Sequence, residues 1–271
     1  MIGQVELINR IDTLISEDRL PRFIILVGNR GSGRSTLISH IQQKFGGIIM
    51  NVGISVNDVR QAIIDIPNIR GDNVICTFKN ADTMSVSAKN ALLKIVEEPP
   101  KNAYFIMTVQ SLNNVLETIK SRATIFAMLP YTPTEIGEYA SKYKLSSEQM
   151  RVVAEVCETP GDVDVLNSAD IIAFDEYVNT VVEYIAQVSG ANSFSIARKI
   201  KFKDEDSGFD LILFFRAFIS KCMQRMEEDV IKYATAIRIT TKRMQELSVN
   251  GINRQNVVDM WILDIRKEWM I

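Results

Sequence analysis

The chain has 271 residues, 46% hydrophobic and 24% charged, a balance normal for a soluble globular protein and long enough for two or three small domains. Its formal net charge is −2, so any contact with DNA has to come from a local patch rather than from the whole surface. One histidine, His40, and three scattered cysteines with no CxxC pair leave little basis for a His-based metal site, a zinc ribbon, a disulfide framework or Ser-His-Asp catalysis, and they fit a reducing, cytoplasmic setting.

In chain order, Phe23-Ile24-Ile25-Leu26-Val27 is a continuous apolar run, as expected of a parallel strand buried on both faces. Residues 73–78 and 104–109 are two more such runs, and helical patterns lie between them at 35–45, 56–66 and 87–98. Strands alternating with helices imply βαβ units and a parallel sheet. Pro130 and Pro133 follow the run at 125–128, and helical periodicity then takes over at 134–143 and 147–158, with Thr134 and Ser147 as expected N-caps. Pro160-Gly161 separates these from a short helix at 163–166. Beyond about residue 170 the pattern is almost all helical, with long segments at 209–226, 229–248 and 253–269. The charged stretch 199–206 reads as an exposed loop, and Phe209, Ile212, Leu213, Phe214 and Phe218 read as an apolar face for packing against another subunit. Trp261 and Trp269 fit helix packing better than base stacking. The apolar runs are too short to cross a bilayer, and the first residues lack a basic stretch followed by an apolar core.

Gly28-Asn29-Arg30-Gly31-Ser32-Gly33-Arg34-Ser35, followed by Thr36, comes after the first buried strand and opens a helix. It fits the phosphate loop G-x-x-x-x-G-K-[ST] at every fixed position except the lysine, which is Arg34. Glycines let the backbone aim several N–H groups at a phosphate, the helix N-terminus favours negative charge, and Ser35 stands where such loops hold magnesium. A guanidinium is planar and wider than an ammonium, so the exchange is not conservative. Hydrolysis also needs a carboxylate at the end of a second strand. The strand at 74–78 ends instead in Lys79-Asn80-Ala81-Asp82: a cation stands at the metal-binding place, an amide follows, and Asp82 lies three residues on, in a loop or helix cap.

Ile2-Gly3-Gln4 with Leu20-Pro21, the run Asn90-Ala91-Leu92-Leu93-Lys94 with Glu97-Glu98-Pro99-Pro100, and Thr118-Ile119-Lys120-Ser121-Arg122-Ala123 resemble the AAA+ clamp-loader subunits, in particular the delta-prime and gamma/tau subunits of bacterial DNA polymerase III. The resemblance covers about the first 170 residues and implies an α/β domain with a P-loop and a parallel sheet at 1–130, a small helical lid at 131–168 and an all-α collar at 169–271. In that family the Ser-Arg motif lies on a helix at the subunit edge and projects into the neighbour's ATP site. Ser121 and Arg122 are therefore the expected trans-acting catalytic pair, Arg122 as the arginine finger. A surface arginine in a salt bridge is the plainer reading of Arg122. Gamma-type subunits keep the loop lysine, an acidic pair and a lid arginine. Here Arg34, Lys79, Asn80 and Gly161-Asp162-Val163-Asp164 stand in those places, and the lid carboxylates would repel a triphosphate.

The resemblance implies a delta-prime-like subunit with degenerate ATPase motifs. ATP or ADP would bind weakly at the loop, magnesium only with the nucleotide, and no zinc. The implied partners are gamma/tau-like and delta-like clamp-loader subunits, the sliding clamp and primer-template DNA through the assembly, with no membrane. Lys89 and Lys94, five residues apart, are read as sharing a helix face, and with Lys101 after the Pro-Pro turn they lie in the region that faces DNA in the family, a solvated face being the alternative. Glu97 and Glu98 are expected to cap or pair structurally, and His40 to play a packing or surface role. Two other functions stay open: an ATPase subunit in which Arg34 and Asp82 serve, and an AAA+ protein of the helicase-loader kind.

Overall fold

A computed structural model describes residues 2–69, 73–187, 210–247 and 252–269. The stretch 199–206 and Phe209, singled out above, lie outside them. The chain divides into two compact units, Met1–Glu135 and Ile136–Ile271.

The first unit is built on a five-stranded sheet. Its elements run α1 (Val5–Ser16), β1 (Phe23–Val27), α2 (Arg34–Phe45), β2 (Ile48–Val52), α3 (Val56–Asp65), β3 (Val74–Phe78), α4 (Val86–Glu97), β4 (Ala103–Val109), α5 (Glu117–Lys120) and β5 (Thr124–Ala127). The strands are all parallel in the order β2-β3-β4-β1-β5. Successive residues of a strand point to opposite faces, so β1 serves two cores. Phe23 and Ile25 join Cys76, Phe78, Phe105 and Met107 under α3 and α4. Ile24 and Leu26 join Ile75, Tyr104 and Ile106 under α1 and α2. This double covering is why β1, β3 and β4 read as unbroken apolar runs. β2 lies at the sheet edge with Ile48 and Ile49 exposed, and the sequence pattern predicts no strand there.

The second unit is helical: α6 (Pro133–Ala140, which begins in the first unit), α7 (Ser147–Val156), α8 (Pro160–Asn167), α9 (Ile171–Gln187), α10 (Leu211–Gln224), α11 (Val230–Glu246) and α12 (Arg254–Trp269). Caps set the boundaries, and several differ from the expected ones. Ser146, not Ser147, caps α7, because its hydroxyl accepts from the Gln149 N–H while the Gln149 side chain returns to the Ser146 backbone. Thr132, not Thr134, makes the corresponding pair of bonds with Glu135 ahead of α6. Pro160 does not separate helices but opens α8 at a first-turn position, where its missing N–H costs nothing, and Thr159 and Asp162 form the capping box.

Leu213, Phe214 and Phe218 are buried inside this unit instead of forming a subunit-packing face. Phe214, Phe215 and Phe218 close around Trp261, whose ring centroid lies 5.8 Å, 5.1 Å and 4.8 Å from theirs. The Trp261 indole N–H donates to Thr240 Oγ1 at 2.8 Å, which satisfies the polar edge of a fully buried ring. An apolar stripe looks the same in sequence whether it faces its own core or a partner.

Candidate functional site

The phosphate loop leaves β1 at the C-terminal edge of the sheet, where α/β folds place their ligands. Gly31 and Gly33 have φ of 79° and 90°, a left-handed conformation that glycine adopts without strain. A Cβ on Gly28 would lie 2.7 Å from both Ser32 Oγ and Met128 Cγ, so the loop is wound too closely for any side chain there. The hydroxyl of Tyr131 donates to the Ser32 carbonyl at 2.7 Å and ties the segment after β5 to the loop. Gln4 is fully buried and clips the same segment from the other side. Its amide N–H donates to the Leu129 carbonyl at 2.8 Å, and its carbonyl oxygen accepts the Leu129 N–H at 2.9 Å.

Asn29, Arg30, Ser35 and Thr36 are exposed, Gly31 and Gly33 half-buried, and Ser32 and Arg34 buried. Arg34 opens α2 with 8% of its surface exposed, and its Nη1 is buried without a hydrogen-bond partner. Ser32 Oγ and Asp82 Oδ1 are likewise buried and unpartnered. Burial pulls the Arg34 guanidinium below its ordinary pKa, and the Asp82 carboxylate opposes that shift. These two residues, 48 positions apart, therefore face each other electrostatically. A buried polar atom left unpaired costs about 1–3 kcal/mol. Arg34 Nη1 and Ser32 Oγ are donors that suit a phosphate group, whereas Asp82 Oδ1 is an acceptor and does not.

The metal side of the site is built differently. Lys79 and Asn80 are exposed at the end of β3. Asn80 takes a left-handed turn (φ 53°), its N–H donating at 3.0 Å to Thr108 Oγ1, and this starts a 3-10 turn at Ala81–Thr83. Asp82 sits in that turn, and its Oδ2 accepts the Gln110 N–H at 3.3 Å. Thr108 and Gln110 thus belong to the site although only Thr108, a polar residue in an apolar strand, carried any signal in the sequence. Among the described residues no three His, Cys, Asp or Glu side chains are grouped as a metal site requires.

Ser121 and Arg122 lie in the turn directly after α5, not on the helix. Arg122 Nη1 donates to the Thr118 carbonyl at 2.8 Å, and Nη2 lies 2.8 Å from Glu97 Oε1 on α4. The side chain is 39% exposed. Glu97 therefore pairs structurally, as its place in the motif suggested.

Lys89 does not share a face with Lys94. Five residues turn an α-helix by about 140°. Lys89 is buried and donates to the Asn114 carbonyl at 2.6 Å, while Lys94 and Lys101 are exposed. The carboxylates of 161–164 are occupied within the helical unit. Asp162 Oδ2 lies 2.8 Å from Arg216 Nη1, and Asp164 accepts from the hydroxyls of Tyr139 and Tyr143 and from Lys142. His40 meets Asp12 at 2.6 Å across α1 and α2.

The sequence model of a family described as "DNA polymerase III, delta subunit" matches residues 51–132. Replication factor C subunit 5 of Mus musculus is 28% identical over 148 residues, 49% of this chain and 43% of that protein. DNA polymerase III subunit delta' of Buchnera aphidicola subsp. Baizongia pistaciae is 37% identical over 98 residues, 35% of this chain and 29% of that protein. The chain spans less than half the length of either. In three dimensions a DNA polymerase III gamma subunit-related protein of Thermotoga maritima is similar with a TM-score of 0.52 at 12% identity, over 97% of this chain and 99% of that one, which is a likeness of fold. Together with the parallel sheet and the loop after β1, these matches make the chain similar to AAA+ proteins of the clamp-loader type.

Proposed function

We propose that this chain is a delta-prime-like subunit of a clamp loader in DNA replication, with a phosphate loop that does not sustain ATP hydrolysis and with Arg122 acting on the ATP of a neighbouring subunit. Its partners are gamma/tau-like and delta-like subunits in the cytoplasm, and through them a sliding clamp and primer-template DNA. Residues 131–168 act as the lid and the helices after 168 as the collar. No described helix is long and apolar enough to cross a membrane.

One contrast supports this reading. At the end of β3, where a hydrolytic site needs a metal-binding carboxylate, stands Lys79. At the end of α5 an exposed guanidinium, Arg122, is held only by surface contacts. An arginine offered in trans stabilises charge that develops as a phosphoryl group transfers, and is worth about 10³–10⁵ in rate. Arg122 supplies that charge, and Ser121 sets the turn from which it extends.

The test is ATP turnover by the chain assembled with the ATPase subunit of the same genome. Arg122→Ala should lower turnover by about 10³ while the assembly still forms. Equal turnover by mutant and wild type would end the finger role, and steady turnover by the isolated chain would restore the ATPase alternative.

A further inference from the structure

We infer that Arg216 fastens α7 and α8 to α10, so that the stretch read above as a lid and the first collar helices open and move as one body. What that motion would serve rests on the reading of residues 131–168 as a lid; the fastening does not. Two observations within the helical unit carry it.

First, the start of α8 is closed by the same oxygen that binds α10. Arg216 of α10 is forked: its Nη2 lies 2.6 Å from Glu158 Oε2, in the turn between α7 and α8, and its Nη1 lies 2.8 Å from Asp162 Oδ2, in the first turn of α8. Only 15% of the Arg216 side chain and 18% of the Asp162 side chain are exposed. Asp162 Oδ2 also accepts the N–H groups of Glu158 and Thr159, at 3.1 Å and 3.0 Å, and so completes the capping box. Unwinding α8 would therefore strand a largely buried guanidinium, and pulling α10 away would weaken the cap. Opening either helix alone is opposed by the other.

Second, α7 is tied to the same helix by separate groups. The Ser220 hydroxyl, one turn after Arg216 on the same face of α10, donates to Glu155 Oε2 of α7 at 3.2 Å. Asp175 of α9 is held between Lys221 of α10, at 2.8 Å, and Arg151 of α7, at 3.2 Å. α7 packs against both α9 and α10. Exposure separates these ties from the Asp164 cluster. Asp164, with 46% of its side chain exposed, gathers Tyr139, Lys142 and Tyr143 from within residues 131–168. Pairs that open to water contribute little, and these join no collar helix. Of the two acids expected above to face a triphosphate, Asp162 has a use that requires no nucleotide.

The experiment is hydrogen exchange of the full chain without nucleotide, read as protection factors of helix amides under conditions where exchange reports equilibrium opening. In the unaltered chain the most protected amides of α8 should lie within about tenfold of those of α10. A wider gap would overturn the proposal, because the two helices would then open separately. Arg216→Met should create such a gap. Protection in α8 should fall by about tenfold or more, the size of a lost charged hydrogen bond, while α11 and α12 change by less than about threefold. Equal losses in α8 and α12, or no loss in α8, would also overturn it, since Arg216 would then support the whole unit or nothing. The comparison within the unaltered chain needs no variant to fold. It uses neither ATP nor a partner subunit, so its failure is distinct from failure of the clamp-loader reading.

Discussion

Arg122 is parked against Glu97: the guanidinium Nη2 lies 2.8 Å from the carboxylate Oε1, with 39% and 48% of the two side chains exposed. An ion pair this open to water is worth about 0–1 kcal/mol. It can hold the guanidinium in one place yet release it at small cost when a phosphate is offered. Glu97→Gln should therefore change the unfolding free energy by less than about 1 kcal/mol. In an assembly with an active neighbour it should raise ATP turnover, by no more than the factor of about 5 that 1 kcal/mol represents. A tenfold fall, read by steady-state kinetics, would mean that Glu97 aligns the guanidinium for catalysis and does not merely park it.

Lys89 gives a different kind of prediction. Its buried ammonium donates to the Asn114 carbonyl at 2.6 Å and so fixes the loop between β4 and α5. Lys89→Met leaves that carbonyl without its donor and should cost about 1–3 kcal/mol in chemical denaturation. Lys94→Met, on the exposed side of the same helix, should stay within about 0.5 kcal/mol. Equal costs would contradict the burial of Lys89.

How much of this was legible in the sequence depends on whether the cause was local. β1, β3 and β4 were readable because burial on both faces leaves an unbroken apolar run. β2 was not: of Ile48–Val52 only Val52 is buried, and the strand exists because β3 accepts it as a neighbour. The loop glycines were readable because their spacing is the motif. The burial of Arg34 and its opposition to Asp82 were not, since β4 and two turns bring together residues that no spacing links. The Ser-Arg motif was plain, but its partner Glu97 became visible only once α4 and α5 were packed together. For α7 the choice between two adjacent serines was settled by Gln149, three residues beyond the true cap.

The helical unit contains a buried ion pair that should respond asymmetrically to mutation. Lys221 Nζ on α10 lies 2.8 Å from Asp175 Oδ1 on α9 and 2.9 Å from Oδ2, with Arg151 of α7 3.2 Å from Oδ2. The Lys221 and Asp175 side chains are only 5% and 11% exposed. Removing one partner strands a buried charge, so Lys221→Met should cost about 3–5 kcal/mol. The double variant Lys221→Met with Asp175→Leu should recover most of that, and a double-mutant cycle by denaturant unfolding measures the coupling. If the double variant is as unstable as the sum of the two singles, the pair is not coupled as its geometry requires.

The three cysteines should make the chain sensitive to alkali. Cys76, Cys157 and Cys222 are buried free thiols, and burial pushes each up to about 12. Because the folded state holds the proton more tightly than the unfolded chain, the stability each thiol contributes is complete below the ordinary thiol pKa near 9. It is lost as the pH rises from there towards 12. At pH 10.5 the loss should be about 2 kcal/mol per thiol. Cys222→Ala should flatten the fall in stability between pH 9 and 10.5 by about that amount, even though the variant is itself less stable at neutral pH for lack of a buried sulfur. At neutral pH a thiol reagent such as DTNB should leave all three unreacted in the native chain and titrate all three in denaturant. A Cys222→Ala curve parallel to that of the wild type through this pH range would show that the thiol is not held in the dry core where it is placed.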